Sequence, residues 1–293
     1  MRLLIFQTWV TTMNQFRKYI GLVLLFALLT LISQIGGLVL LACVPIFNII
    51  NQKINKRIGR NVLKISTFCL FYALTTFYIV PPLAATFGRV RMPYGDENPN
   101  LKPHNFYSVL LNRHYVTPQL RAVTEGVAAK MALKYGDTCV VAYLECNFPF
   151  IDGYRLIPHL SHNDGQKIDL SFQYLDAATK QQTAERPSWL GYGVCEEPKA
   201  GEENMPEMCH ERGEWQYNFM RNYIIPQSRK QDFIFNANQT HDLIRFFLAD
   251  NHVNFVLIEP HLKKRLGFET VPKVRRPPCE AVRHDDHIHV AIY

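Results

Sequence analysis

Two long apolar runs without charged residues dominate the first third of the chain. Residues 20–42 are rich in Leu, Ile, Val and Phe, and a second uncharged run covers residues 65–87. A helix needs about 20 apolar residues to cross the hydrocarbon core of a bilayer, and each run reaches that length. The pattern predicts two transmembrane helices, and the alternative is a buried helical hairpin in a soluble protein. Gly36-Gly37 in the first run favours close packing between helices.

After residue 104 the apolar pattern changes to shorter helical and strand-like periods. An apolar stripe at Val123, Val127 and Met131 predicts a helix over residues 119–135, and Thr240 is the expected N-cap of a helix over residues 241–249. Apolar and alternating runs predict strands over residues 138–144, 170–175, 253–258 and 287–293, with a short helix over residues 260–266. Because these elements neither alternate strictly nor repeat, the expected fold class is α+β with an antiparallel sheet.

Composition divides the chain into three parts. We expect a membrane anchor at residues 1–88, a linker rich in Pro, Asn and charge at residues 89–104, and one extracytoplasmic domain at residues 105–293. Within that domain, residues 177–218 are polar and contain Pro and Gly, which is typical of a long surface excursion.

The net charge of +7 is concentrated at the N-terminal end. Ten of the 32 Lys and Arg residues precede Asp96, whereas all 25 Asp and Glu residues lie at or after it, which leaves 22 basic against 25 acidic residues. The downstream domain is therefore mildly acidic, and nucleic acid is not an expected partner. The basic surplus belongs to the hydrophobic region.

Five basic residues lie between the two apolar runs, in residues 51–64. Positively charged loops stay in the cytoplasm, so we expect this loop inside the cell and both chain ends outside it. Five cysteines then lie outside, and the pair Cys195 and Cys209 is our first choice for a disulfide in an oxidising compartment. A metal site at Cys209-His210 is a weaker alternative, because the spacing matches no zinc-binding pattern.

Histidine and aspartate are concentrated in two short segments, residues 159–169 and 284–289. Zinc binds imidazole nitrogen and carboxylate oxygen, and its catalytic sites keep three protein ligands and one position for water. His162, Asp169 and His289 would supply such a set. Each pattern alone is a weak indication of a metal, since isolated histidines are common, but their joint presence points to a metal site.

The chain must turn between His162 and Asp169 if both are to bind one ion, because seven residues of helix would separate them by about 10 Å. Asn163-Asp164-Gly165 is a sequence that favours such a turn. His287 and His289 are two residues apart on the predicted terminal strand, so both project from one face. One of them could bind the metal while the other contacts water or substrate.

The two segments resemble the motifs of the penicillin-insensitive murein endopeptidase family. The stretch His162-x-x-Gly165-x-x-x-Asp169, with His159 three residues before His162, resembles the first motif of that family. Lys273-Val274-Arg275 followed by residues 284–290 is similar to the second motif, and residues 253–266 resemble the strand and helix before it. The family belongs to a group of zinc peptidases with a His-x6-Asp…His-x-His signature, which includes D-alanyl-D-alanine carboxypeptidases, dipeptidases and hedgehog-type domains. The resemblance covers residues 137–175 and 240–293.

This resemblance implies a role for each matched residue. His162, Asp169 and His289 would be the ligands of Zn²⁺, and His287 and His284 would be active-site histidines beside them. His159 matches a histidine that touches a second metal in the family, and would otherwise support the first metal.

Asp286 stands where other branches of the group have a glutamate that acts as the base. Asp286 has a shorter side chain than that glutamate, and it is a candidate proton shuttle alongside His284. Separately from the resemblance, Arg155 is a candidate to bind a substrate carboxylate, since guanidinium groups pair with carboxylates in a fork.

Together these features lead us to expect a two-pass inner-membrane zinc metallopeptidase with its catalytic domain on the periplasmic side. A water activated by zinc would hydrolyse peptide bonds in peptidoglycan. The alternatives are a non-catalytic, zinc-stabilised membrane receptor or scaffold, and a zinc amidase that acts on a substrate outside the cell wall. The expected partners are the lipid bilayer and a peptidoglycan peptide, and the sequence does not indicate an oligomeric state.

Overall fold

The computed structural model describes the backbone of residues 2–293 and the side chains of residues 16, 17 and 19–293. The chain divides into two units, Met1–Pro82 and Leu83–Tyr293. The side chains of Arg2 and Lys18, which contribute to the N-terminal charge, lie outside the described residues.

Long apolar helices form the first unit, and the last of them continues past the boundary at Pro82 into the second unit. They are α1 (Arg2–Ser33), α2 (Gly36–Lys53), α3 (Arg57–Leu74), a π-helical turn (Thr75–Ile79) and α4 (Val80–Thr86). Within the described part of the chain, two helical stretches are long and apolar enough to cross a membrane: Gly36–Lys53, and the continuous stretch Arg57–Thr86 that includes the π turn and α4. The second of these contains almost all of the run predicted over residues 65–87.

The apolar run over residues 20–42 is not one helix, contrary to our expectation. Gln34 adopts a left-handed backbone conformation with φ of 63°, which ends α1 and lets the chain reverse into α2. Gly37 then lies so close to α1 that a Cβ atom there would be 2.1 Å from Thr30 Oγ1. The two glycines of this run therefore mark close helix packing, as predicted, but between α1 and α2.

The side chains of both candidate membrane stretches are mostly exposed. Leu38 and Leu70 have 63% and 58% of their surface accessible, and Ile58 has 80%. A core helix of a soluble protein would bury such residues, so this exposure argues against the alternative of a buried hairpin.

The second unit combines short helices with three sheets. Its helices are α5 (Tyr107–Leu110), α6 (Pro118–Tyr135), α7 (Met205–Glu211), α8 (Ala237–Leu248) and α9 (Pro260–Arg265), with 3-10 turns at Trp215–Asn218 and Ser228–Asp232 and a π turn at Met220–Ile224. Its strands are β1 (Val90–Arg91), β2 (Leu101–Pro103), β3 (Tyr115–Val116), β4 (Val141–Tyr143), β5 (Lys167–Ser171), β6 (Tyr174–Asp176), β7 (Gln182–Thr183), β8 (Phe233–Phe235), β9 (Val253–Leu257), β10 (Val274–Arg275) and β11 (His287–Ile292).

The main sheet has six strands in the order β10-β9-β11-β5-β4-β2. Its central pairs are antiparallel, whereas β10 with β9 and β2 with β4 pair in parallel at the two edges. The α+β class is therefore confirmed, with a mixed sheet in place of a purely antiparallel one. Two smaller antiparallel sheets, β1-β3 and β7-β6-β8, complete the unit.

Helices α6 and α8 cover the main sheet with the apolar faces that the sequence pattern indicates. Val123, Val127 and Met131 of α6 share one buried core with Leu243 and Phe247 of α8. Burying a side chain of this size stabilises the fold by about 1.5–3 kcal/mol, so the two helices anchor the sheet from one side.

Thr240 does not cap α8, because the helix begins earlier, at Ala237, with Asn236 as its N-cap. The Thr240 hydroxyl instead accepts a hydrogen bond from the backbone N–H of Gln173. This contact also explains why the strand predicted over residues 170–175 is divided into β5 and β6. Gln173 bonds to the start of α8 and leaves the main sheet.

The excursion over residues 177–218 contributes buried side chains as well as surface. Tyr192, Val194 and Tyr217 within it are buried, and Tyr192 is 5% exposed. The predicted disulfide between Cys195 and Cys209 is wrong, because Cys209 on α7 bonds to Cys279. Cys195 is a free, buried thiol next to Asp285.

Removal of the disulfide should destabilise the second unit. It closes a loop with a sequence separation of 70 residues, and a bridge of that length contributes roughly 2–5 kcal/mol by restricting the unfolded chain. We expect the double variant Cys209→Ala/Cys279→Ala to unfold at a lower urea concentration than the unsubstituted chain in the same detergent. The control is Cys69→Ala, an exposed free thiol, and an equal midpoint for all three proteins would contradict the expectation.

Candidate metal centre

Strands β5 and β11 place two of the predicted ligands opposite each other. In their antiparallel pairing His289 is the direct partner of Asp169, and His287 is the partner of Ser171. Directly opposed residues on neighbouring strands project from the same face, with Cβ atoms about 5 Å apart. The alternation of residues along β11 puts His287 on that face too.

The turn before β5 brings the third ligand to the same place. Asp164 Oδ1 accepts the backbone N–H of Gln166, and Gly165 has a left-handed φ of 78°. The side chain of Arg89 fills the space beside Gly165, where a Cβ atom would lie 2.4 Å from Arg89 Nε. The sequence Asn163-Asp164-Gly165 thus makes the reversal that returns His162 to Asp169.

Three ligand atoms meet between this loop and the two strands. His162 Nε2 lies 3.1 Å from Asp169 Oδ1 and 3.1 Å from His289 Nδ1, and the last two atoms are 2.8 Å apart. Zinc in tetrahedral coordination, with ligands at about 2.1 Å, needs ligand atoms about 3.4 Å apart. The triangle is therefore close to one face of that tetrahedron, and all three side chains are buried.

The surrounding contacts leave lone pairs directed at this triangle. His162 Nδ1 donates to the Cys146 carbonyl oxygen, so Nε2 of a neutral ring is free of a proton. Burial lowers the pKa of His289 to about 4, which keeps its imidazole neutral near pH 7. Burial opposes a charge on Asp169, but His162 and His287 outweigh it and hold the pKa of Asp169 well below its usual value.

The carboxylate of Asp169 needs a positive partner in this buried place. Burial opposes protonation of His162, but the charge of Asp169 outweighs it and raises the pKa of His162. A metal ion at the triangle would replace that extra proton, because the same lone pair of His162 binds either one. Two imidazoles and one carboxylate are a donor set that fits zinc.

A second group shares the same carboxylate. Asp169 Oδ2 lies 3.5 Å from His159 Nδ1 and 3.7 Å from His287 Nε2, and it accepts a hydrogen bond of 2.9 Å from the Tyr192 hydroxyl. His159 Nδ1 also lies 2.9 Å from Glu145 Oε2. The buried residues His159, Asp169 and His287 could hold a metal as well, though their ligand atoms are farther apart than those of the first triangle.

His287 is oriented by the residue before it. Its Nδ1 donates to Asp286 Oδ1, and Asp286 Oδ2 accepts the backbone N–H of Gly193. Among the residues that the structure describes, His287 Nε2 has no hydrogen-bond partner. Burial opposes a proton on His287, but Asp169 and Asp286 outweigh it and raise the pKa of this imidazole.

His284 lies beside the other two histidines of its segment. Its ring centre is 4.6 Å from that of His287 and 5.8 Å from that of His289. Its Nδ1 donates to the Val282 carbonyl oxygen. Burial, followed by the two neighbouring imidazoles, holds the pKa of His284 well below its usual value, so it is a neutral ring in the centre.

An adjoining cleft of about 610 Å³ reaches the centre through His159, Tyr192 and Asp286. The buried ligands His162, Asp169 and His289 lie behind these residues and do not line it. Most of the remaining lining is apolar: Leu111, Leu144, Trp189, Phe219, Met220 and Ile224. Its arginines are paired with carboxylates, Arg113 with Glu145, Arg221 with Glu197 and Arg283 with Asp285.

Arg155 lies apart from these residues. It is exposed on the loop before His159 and is not among the residues that line the cleft. Its predicted role with a substrate carboxylate remains a prediction. Sequence reasoning missed Glu145 and the contact of Tyr192 with Asp169, because both depend on long-range packing that no local motif signals.

No protein-family model matches the chain, and no curated protein matches it. The chemistry of this centre must therefore be argued from the side chains that meet there.

We expect the purified chain to bind one divalent metal ion at the first triangle. Replacement of His162 by Ala removes one of three ligands and should lower the bound metal by at least about tenfold, measured by elemental analysis after dialysis. His252→Ala is the matched control, since His252 is an exposed histidine bonded to Asp250. Equal metal content in both variants, with unchanged circular dichroism, would contradict a metal at this triangle.

Glu259 gives the unit a specific pH dependence. Its Oε1 accepts the Tyr217 hydroxyl and the backbone N–H of His284, and burial followed by the charge of Asp285 raises its pKa from 4.5 to about 8. Between pH 4.5 and about 8, Glu259 is protonated in the folded state and ionised in the unfolded state. Stability should therefore fall as pH rises through this window, by at most about 1.4 kcal/mol per pH unit.

The variant Glu259→Gln cannot ionise and should lose this part of the pH dependence. We expect it to be more stable than the unsubstituted chain at pH 8 and similar at pH 4.5, measured by urea unfolding. Glu211→Gln, at an exposed position on α7, controls for the loss of a surface charge. Parallel stability curves for Glu259→Gln and the unsubstituted chain would refute the assignment.

Proposed function

We propose that this chain is a membrane-anchored zinc metallopeptidase that hydrolyses peptide bonds in peptidoglycan. The observation that carries the proposal is the triangle of His162 Nε2, Asp169 Oδ1 and His289 Nδ1, with edges of 3.1, 3.1 and 2.8 Å. A set of three buried ligands on one face leaves further coordination positions, which distinguishes catalytic zinc sites from closed structural ones.

Zinc bound at this triangle would supply a Lewis acid that polarises a carbonyl group and makes water nucleophilic near neutral pH. The protein's own contribution begins with His287, which Asp286 holds through Nδ1. Its buried Nε2 faces the same region as Asp169 Oδ2, so it can stabilise the oxygen on which negative charge develops. This role needs a proton on Nε2 in addition to the Nδ1 proton that His287 donates to Asp286.

The proton of the attacking water needs an acceptor close to the cleft. Asp286 lines the cleft, and its carboxylate, which also bonds to His287, can accept this proton and release it to solvent. His284, kept neutral by burial, is the other candidate acceptor. Tyr192 and Glu145 position Asp169 and His159 from outside the ligand set, as the partners around metal ligands commonly do.

We place the second unit on the periplasmic side of the inner membrane. The end of α2, the turn after it and the start of α3 carry Lys53, Lys56, Arg57 and Arg60, and basic segments of this kind stay in the cytoplasm. Because α1 folds back on α2, Arg17 lies toward the same basic end, which strengthens the charge bias. The Cys209–Cys279 disulfide is typical of an oxidising compartment outside the cytoplasm.

One observation favours a second candidate, a zinc amidase acting on a substrate outside the cell wall. The cleft is mostly apolar, and its arginines are already paired with carboxylates. Such a lining suits an amphiphilic amide better than a strongly polar wall peptide.

Hydrolysis of purified muropeptides by the full-length chain in detergent tests the proposal. We expect cleavage that a chelator abolishes and zinc restores, with a loss of at least about 100-fold in His162→Ala and in His287→Gln. Mass spectrometry of the products identifies the bond, and His252→Ala serves as the control.

Two results would overturn the peptidoglycan assignment. Bound metal without hydrolysis of any amide would favour the non-catalytic receptor or scaffold. Chelator-sensitive hydrolysis of acylated amides, with muropeptides left intact, would favour the amidase.

A further inference from the structure

A loop next to the candidate metal centre exposes several large apolar side chains. In residues 150–160, which we call the contact loop, Ile151, Ile157 and Leu160 have 58%, 48% and 49% of their surface exposed. Single exposed apolar residues are common on soluble proteins, but a cluster of them in one segment indicates a binding surface.

The contact loop is joined to the residues that follow the candidate membrane helix. That helix ends at Thr86, and the ring of Phe87 packs against the ring of Phe150 with their centres 5.4 Å apart. Two residues later, Arg89 forms an ion pair with Asp152. Three residues of chain span at most about 10 Å, so both contacts to the loop start from backbone positions within that distance of the end of the helix.

The same residues hold the loop as a rigid element. Arg89 is 6% exposed, and its guanidinium occupies the space beside Gly165 at the far end of the segment that carries His159 and His162. The backbone N–H of Gly153 donates to the carbonyl oxygen of Asn163. The exposed apolar side chains are therefore presented by a fixed loop.

The composition of this surface suits the boundary of a bilayer. Phe87 is 50% exposed and extends the apolar patch to the end of the membrane helix. Arg155, the exposed basic residue of the contact loop, can place its charge among phospholipid headgroups while its aliphatic stem lies among apolar groups. Apolar side chains mixed with arginine are typical of segments that lie in the membrane interface.

We propose that the contact loop and Phe87 lie in the headgroup region of the phospholipid bilayer and hold the metal centre at the membrane surface. This rests on the membrane anchoring put forward under the proposed function. His159 is part of this loop, and the candidate ligand His162 follows two residues after its end. Substrates must then reach the centre along the bilayer surface, which favours a substrate attached to lipid or lying close to it.

Tryptophan substitution in the full-length chain tests the proposal. The variants Ile157→Trp and Leu160→Trp are placed in nanodiscs of phospholipid brominated near the headgroup end of its acyl chains. We expect the emission that the new tryptophan adds, taken as the difference from the unsubstituted chain, to fall by about half relative to unbrominated lipid.

Two control positions separate the possible failures. Leu70→Trp lies near the middle of the candidate membrane stretch and should be quenched in matching nanodiscs whose lipid is brominated near the bilayer centre, whereas Leu133→Trp, 90% exposed on α6, should be quenched in neither. Quenching at Leu70 with neither loop variant quenched would overturn the docking of the loop and leave membrane anchoring intact. Quenching at none of the positions would overturn both. A blue shift of the loop variants without quenching would mean that a second protein surface covers the patch, and would overturn the proposal too.

Discussion

A carboxylate without access to solvent is the constraint around which the second unit is arranged. Asp169 is fully buried in the middle of the main sheet, where its backbone pairs with Leu144 and Glu145. An unpaired charge in such a place costs several kcal/mol, so every neighbouring element must supply positive charge or a hydrogen-bond donor. Strand β11 supplies His289, and the excursion supplies the hydroxyl of Tyr192. The packing around Asp169 and the grouping of the candidate metal ligands therefore both follow from the need to balance this buried charge.

The parts that surround this carboxylate have different origins in the chain. The sheet provides a rigid floor, because β5 and β11 both lie in its interior between other strands. The excursion over residues 177–218 provides the wall of the cleft and is tied to the segment before β11 by the Cys209–Cys279 bridge. His159 and Tyr192 line the cleft and approach Asp169, and Asp286 lines it and bonds to His287, so these side chains control what the centre can contact.

Local sequence patterns were enough to predict much of this arrangement, whereas the rest depends on long-range contacts. The helix from Pro118 and the terminal strand from His287 were predicted because their periods reflect burial of one face. His162, Asp169 and His289 could be grouped from ligand chemistry and spacing. The partner of Cys209 could not, because the bridge joins positions 70 residues apart without a pairing signal. The prediction of Thr240 as an N-cap failed for a similar reason, since its hydroxyl accepts a hydrogen bond from the backbone of Gln173 in another part of the chain.

The pairing of β5 with β11 has a consequence for how this centre tolerates changes in chain length. His287 and His289 both face Asp169 because the number of residues between them is odd. One extra residue inside that pair would turn one imidazole to the opposite side of the sheet, while the strand itself could still form. An insertion in the loop before His287 would leave the parity unchanged. Insertions and deletions ahead of β11 can therefore be tolerated, whereas the spacing between His287 and His289 within the strand must stay the same.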